Sequence, residues 1–471
     1  MLPTFDPWFT ASVAADVWAA GRGDAAGLLR RQARRLRQLL EAAAKGSRLY
    51  RQCLPSGDPA GTPLQQLPVS RKPELMRHFD DWVTDPALKL GELRRFAADS
   101  ARVGEAFHSR YVVWESSGSS GEPGLFVQDA AAMAVYDTLE ALRRPALPLW
   151  HGLLEPWMPA RLDERIAFLG ATGGHFASVV SVERLRQLNT TFGRRVQSIS
   201  FLQPMDRLVQ AIEAWQPGVL ATYPSAAVLL AEERRAGRLS LKLREVWTGG
   251  ETLTPAMRRG IEQGLGCKVI NSYGASEFLA LATECREGRL HLNSDWFILE
   301  PVDEHGRPVP AGEPSATTLL TNLANHLQPL IRYDLGDRVT VLPGPCACGS
   351  PLPCVDVQGR RDDTLRLAGK GRRSVPVLPL AISTVLEDDA GLFDFQLRQR
   401  GPRELLLCTG QRGEGATRQL RHARVVLSAF LAAQGATDIH ISCRSGQPGW
   451  HGRSGKMPRV VAASRRAAGH Q

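Results

Sequence analysis

A chain of 471 residues exceeds what one hydrophobic core usually organises, so a large domain with a smaller companion is expected. Its hydrophobic content of 43% is ample for such cores, and no uninterrupted apolar run is long enough to span a membrane. Lysine and arginine outnumber the acids 58 to 48; the net charge of +10 suits a polyphosphate or an acidic carrier protein, and no nucleic-acid partner is expected because no helix-turn-helix, aromatic RNA platform or zinc finger accompanies it.

The opening residues carry Asp6 and Asp16 and lack the basic, apolar and small-residue order of a secretory leader, so a cytoplasmic location is expected. Residues 20–50 read as a long helix or a broken helical pair. Leu28, Leu29, Leu36, Leu39 and Leu40 supply its apolar spacing, and Arg30, Arg31, Arg34, Arg35 and Arg37 its solvated face. Glycine and proline break the pattern over 54–65. A short strand is expected at 110–114, running directly into a serine- and glycine-rich turn at 115–124. Helical spacing follows over 129–144, and strands are expected at 165–169, 243–247, 268–270 and 297–301. The mixture predicts an α/β large domain. Turns and short strands dominate beyond residue 300. A boundary near 359–363 would divide a large domain, 1–359, from a small α+β domain, 360–471.

Several runs carry chemistry. In SSGSSG, Ser117, Gly118, Ser119, Ser120 and Gly121 can turn successive amides and hydroxyls toward an anion, as a nest does for phosphate, although the same residues also make ordinary flexible turns. The Lys-Ser or Lys-Thr ending of a standard P-loop is missing. Gly249, Gly250 and Glu251 follow one apolar strand candidate, and Asn271, Ser272, Tyr273, Gly274 and Glu277 follow another. Glu277 could hold Mg²⁺, Tyr273 could lie against an adenine, and Asp337 could accept from ribose hydroxyls; each alone also reads as a polar loop at a strand end. Cys285, His291, Cys346 and Cys348 together offer three thiolates and one imidazole, a complete tetrahedral set for structural Zn²⁺, with Cys354 as a substitute. The eight cysteines otherwise fit mostly free thiols in a reducing compartment.

Taken in order, SSGSSGEP, TGGE, YGASE, YDLGD and GRRDD resemble the acyl-adenylate-forming superfamily, and most nearly its phenylacetate–CoA ligase and coenzyme F390 synthetase-like branch. The resemblance implies a large multi-subdomain N-terminal domain and a small mobile C-terminal one. It gives Ser117, Ser119 and Ser120 to the ATP phosphates, Tyr273 and Glu277 to adenine and metal, and Asp337 to the ribose. Gly249, Gly250 and Glu251 would build the nucleotide wall, Arg360 would lie near ribose and phosphate, and Asp362 would be the hinge. Lys456 would be the lysine of the adenylation step, with Lys370 and Arg459 as alternatives facing an anion. The zinc set also has counterparts in this branch. The implied activity is formation of an acyl-AMP from ATP and an aromatic carboxylic acid, then transfer to the thiol of CoA or to the phosphopantetheine arm of an acyl carrier protein. The alternative from another class is a non-enzymatic, zinc-stabilised interaction protein. No feature fixes an oligomeric state, and a homodimer is compatible with the sequence.

Overall fold

The computed structural model describes residues 5–55, 57–116, 123–144, 164–170, 172–200, 203–360, 364–371, 374–377, 379–447 and 458–463. Helical structure begins earlier than expected, with Pro7–Ala20 capped by Asp6, whose carboxylate accepts from the Trp8 and Phe9 amides. Gly21 and Gly23 then separate it from Ala25–Gly46, which Asp24 caps. This second helix buries Leu28, Leu39, Leu40 and Ala43. Arg35 corrects the expectation of a wholly solvated arginine face. It is 4% exposed, pairs with Asp16, donates to the Asp295 carbonyl, and lies 3.4 Å from the Trp296 ring centroid. A guanidinium tolerates that position because an acid, a carbonyl and an aromatic face all meet it there.

The expected strand at 110–114 forms as Val112–Glu115 and pairs antiparallel with Leu125–Gln128. Ser116 fastens the neck of this hairpin: its hydroxyl accepts from the Gly124 amide at 2.8 Å. Asp129 caps the helix Ala130–Arg143, as its position before an apolar-periodic run predicts.

A nine-stranded sheet forms the centre of the large domain. One half is parallel, in the spatial order Val196–Ser200, Ile166–Gly170, Val219–Thr222, Glu245–Thr248, Lys268–Ala275. The other half continues antiparallel through Phe278–Glu284, Leu290–Leu292, Cys354–Arg360 and Asp337–Val341. Strand Lys268–Ala275 belongs to both halves. Its first part, to Asn271, pairs parallel with Glu245–Thr248, and from Ser272 it pairs antiparallel with Phe278–Glu284. The register shifts between Tyr273 and Ala275, at Gly274, where a Cβ would stand 2.0 Å from the Leu279 carbonyl oxygen. Backbone cannot yield as a flexible side chain can. Gly274→Ala is therefore expected to cost about 3 kcal/mol or more, visible as a lowered thermal midpoint; an unchanged midpoint would contradict this packing.

The chain beyond residue 364 has an apolar core of its own, including Leu365, Leu386, Phe395, Leu407, Leu427 and Val460. Its four-stranded sheet runs His440–Arg444, Glu404–Cys408, Gln396–Gly401, Val460–Val461, with Glu414–Ala433 packed against it. The architecture is thus a large mixed α/β domain and a smaller α+β one. No helix among the described residues is long and apolar enough to cross a membrane.

Candidate adenylate site and metal centre

In a parallel sheet the carboxyl ends of the strands share one edge, where loops can converge on a ligand. Thr222, Thr248 and Asn271 mark that edge here, since Thr222 registers with Thr248 and Thr248 with Asn271. The Thr248 hydroxyl donates to Asn271 Oδ1 at 3.0 Å, and Ser272 Oγ donates to the Thr248 carbonyl at 3.0 Å. Glu251 receives the Ser225 amide at 3.1 Å, joining TGGE to the first turn of the helix Pro224–Arg235 that follows Val219–Thr222. A Cβ at Gly249 would come within 2.8 Å of Ser272 Oγ, so the TGGE backbone lies against a side chain of strand Lys268–Ala275.

Strand Asp337–Val341 approaches the same region from the antiparallel half. Asp337 registers opposite Arg360, whose Nε lies 3.8 Å from Asp337 Oδ1. The Tyr273 hydroxyl donates to Asp337 Oδ2 at 2.6 Å. Burial, and then the Asp337 charge, push the Tyr273 phenol well above its ordinary range, so it stays a donor. Tyr333 does the same for Glu277, donating to Oε1 at 2.8 Å. Asn322 Nδ2 meanwhile holds the Glu277 carbonyl at 3.0 Å. The second carboxylate oxygen of Glu277 has no protein donor among the described residues, which suits a hard divalent cation.

The structure therefore brings Gly249, Gly250, Glu251, Asn271, Ser272, Tyr273, Gly274, Glu277, Asp337 and Arg360 to the region where the two half-sheets join. Tyr273 contributes its hydroxyl to Asp337, and its ring is 9% exposed. Ser117, Gly118, Ser119, Ser120, Gly121, Asp362 and Lys456 lie outside the described residues. Lys370 is exposed in a turn. Arg459 faces an anion within the protein, the carboxylate of Glu387. Sequence reasoning left Tyr333 without a role although it stands inside YDLGD, where a hydroxyl beside two acids was the available signal. It passed over Asn322 and Glu284, which sit in strands with no motif to mark them.

The metal-ligating set assembles as expected. One ligand atom from each of Cys285, His291, Cys346 and Cys348 falls within 4.8 Å of all the others. The Sγ atoms of Cys285 and Cys346 are 3.9 Å apart, and Cys348 Sγ is 3.3 Å from His291 Nε2. Two thiolates bound about 2.3 Å from one tetrahedral Zn²⁺ would be about 3.8 Å apart, so the donors fit that ion. The Leu352 carbonyl, 2.8 Å from His291 Nδ1, can only accept; Nδ1 must carry the proton, leaving the Nε2 lone pair toward the thiols. The Cys348 backbone amide lowers the Cys346 thiol to about 6, whereas burial pushes the Cys348 thiol up to about 11. Cys354 is the cross-strand partner of His291, and its Sγ lies 3.5 and 3.8 Å from the two ring nitrogens. Nearly equal distances place it against the ring face, outside the ligand set. All eight cysteines are free thiols.

The candidate metal set and the cluster at the strand ends share a strut. Glu284 precedes Cys285, is buried, and accepts from the Asn271 amide and from Arg258 Nη2, both at 2.6 Å.

The sequence profile of the AMP-binding enzymes matches residues 192–316. The phenylacetate–coenzyme A ligase of Thermus thermophilus is 35% identical over 190 residues, covering 38% of this chain and 41% of that protein. The Escherichia coli phenylacetate–coenzyme A ligase is 32% identical over 211 residues, covering 43% and 45%. The matched stretch thus spans less than half the length of these relatives. Among solved structures, a 2-hydroxyisobutyryl-CoA ligase in its postadenylation state has a TM-score of 0.67 at 19% identity, covering 94% of this chain and 91% of that one. The same ligase in its thioesterification state has a TM-score of 0.56 at 20% identity, with 94% and 92% covered. These likenesses establish the two-domain fold.

Proposed function

We propose that this relative of the phenylacetate–CoA ligases, a member of the acyl-adenylate-forming superfamily, activates a carboxylic acid with ATP and passes the acyl group to a thiol. The observation that carries this reading is the Tyr273–Asp337–Arg360 cluster facing the loops at the carboxyl ends of the parallel strands. The Tyr273 hydroxyl fixes the orientation of the Asp337 carboxylate, which in this reading accepts from ribose hydroxyls. Arg360 and the serine hydroxyls of SSGSSG supply positive charge and donors for phosphate oxygens.

The chemistry balances without an enzyme nucleophile. A substrate carboxylate oxygen attacks the α-phosphorus of ATP, the bond to pyrophosphate breaks, and a mixed anhydride with AMP remains. Lys456 stabilises charge on the phosphoryl oxygens as that bond breaks. A thiol then attacks the acyl carbon, AMP leaves with the bond electrons, and the thiol proton passes to solvent. Glu277 would hold Mg²⁺, which when bound offsets phosphate charge. The division near residue 360 belongs to the same reading, since the separate C-terminal core begins at Leu365.

The names of the phenylacetate–coenzyme A ligases among the relatives favour an aromatic acid and free CoA. The net charge of +10 favours a second acceptor, the phosphopantetheine arm of an acidic carrier protein. The decisive measurement is pyrophosphate release from ATP and Mg²⁺ across aromatic and aliphatic acids. Release is expected with one acid class, and Lys456→Ala is expected to lower it about a hundredfold. Undiminished release in the variant would remove Lys456 from the reaction; silence across all acids would remove the activity.

A further inference from the structure

The small domain is pinned to the large one through one buried carboxylate. Glu387 stands in the segment Val385–Asp389 with its side chain 0% exposed. One oxygen pairs with Arg459 Nη1; the other accepts the hydroxyl of Thr254, a large-domain residue. The Arg459 guanidinium also meets Met257 Sδ at 3.3 Å in the large domain and donates to the Phe393 carbonyl at 2.6 Å in the small one. The Phe393 side chain packs on the large-domain cluster around Val228 and Met257. Replacing a buried ion pair by apolar side chains is often neutral or stabilising, so the best-attested reason to keep one is to select an arrangement.

Chain position says which arrangement. Thr254 lies just beyond TGGE, and Arg459 just beyond Lys456. The contact therefore joins the segment carrying the nucleotide wall to the segment carrying the adenylation lysine. The whole chain also superposes better on the solved ligase in its postadenylation state, at a TM-score of 0.67, than in its thioesterification state, at 0.56.

We infer that Thr254, Glu387 and Arg459 form a latch that holds the small domain in the acid-activating arrangement and must open before the thiol is admitted. All three are positioning residues that touch no substrate. The inference rests on the acyl-adenylate reading for its chemistry and on the contact geometry for its mechanics, and the two can be tested apart.

The experiment compares full-length wild type with Thr254→Val, Thr254→Ser and Glu387→Gln. Hydrogen exchange over residues 385–393 reports the contact without any turnover. It is expected to quicken about tenfold in Thr254→Val and Glu387→Gln, and to match wild type in Thr254→Ser. Thr254 also caps the helix Pro255–Leu265 through the Met257 amide, so faster exchange confined to 255–265 would mean cap loss alone and overturn the latch. In the half-reactions, pyrophosphate release should fall about tenfold in Thr254→Val, while thioester formation from supplied acyl-adenylate and CoA holds or rises. An equal fall in both overturns the latch. If wild type releases no pyrophosphate with any acid, the acyl-adenylate reading fails, and exchange over 385–393 still decides for or against the contact.

Discussion

Replacing Asp337 by alanine is expected to reduce acid-dependent pyrophosphate release by about a hundredfold or more. Two losses combine. The carboxylate no longer accepts from ribose hydroxyls, and hydrogen bonds to a charged group are worth about 1.5–3 kcal/mol each. The Tyr273 hydroxyl, now 2.6 Å from Asp337 Oδ2 and deeply buried, also loses its acceptor. Stranding a buried donor costs about 1–3 kcal/mol. Two ribose bonds at the smaller value come to about 3 kcal/mol, and since about 1.4 kcal/mol is a factor of ten in rate they give the hundredfold; the stranded donor adds a loss of folded-state stability. Asp337→Asn keeps an acceptor for Tyr273 while removing the charge opposite Arg360, so it should fall between wild type and alanine. Steady-state kinetics varying ATP would check this, and an alanine variant within threefold of wild type would show that Asp337 does not hold the nucleotide.

Removing metal is the second large effect. Chelation, or Cys348→Ala, is expected to release one equivalent of zinc and lower the thermal midpoint by about 4 °C or more. Losing a structural ion would remove the cross-link between the Cys346–Cys348 turn and the segment of Cys285 and His291, and we assign this about 3 kcal/mol or more; each kcal/mol moves the midpoint of a domain this large by about 1–2 °C. The change should not stop at the metal. Cys285 is joined through Glu284 to the Asn271 amide, and the loop bearing Cys346 and Cys348 closes the hairpin of Asp337–Val341 and Cys354–Arg360. At the far end of that hairpin, Asp337 faces Arg360. Cys354→Ala should keep its zinc, because that thiol, although it also meets Cys346, lies outside the set of four. Metal analysis of the purified variants decides the matter: zinc retained by Cys348→Ala, or lost by Cys354→Ala, would redraw the ligand set.

The site was legible in the sequence wherever its residues cluster in short runs at strand ends. TGGE, YGASE and YDLGD each keep their polar groups within a few positions, so a local reading could find them. The candidate metal set was legible for a different reason: its spacing alone is weak, since its halves lie far apart in the chain, and the family resemblance singled out these four among eight cysteines and eleven histidines. Contacts made across the fold were not legible. Thr254, Glu387 and Arg459 meet only because two domains pack together, and no periodicity marks any of them. Arg35 was misread because charge usually means solvent, and only tertiary structure supplies Asp16 and Trp296. The helix Pro7–Ala20 was missed because it buries Val13, Val17 and Ala20 yet leaves Trp8 86% exposed, which erases an amphipathic pattern. Strands Val196–Ser200 and Val219–Thr222 are short, and short apolar runs do not distinguish strand from helix.

The strand that serves both half-sheets also limits how the gene can change in length. Side chains alternate along Lys268–Ala275, so Asn271 and Tyr273 share one face of the sheet while Ser272 points to the other. Both neighbouring strands fix its register, one parallel and one antiparallel. An insertion of a single codon near residue 270 would turn Tyr273 away from Asp337 and carry Gly274 off the Leu279 carbonyl at one stroke. Insertions at the exposed turn around Gly306 would disturb neither. Length variation is therefore expected to collect in such turns and to spare this strand.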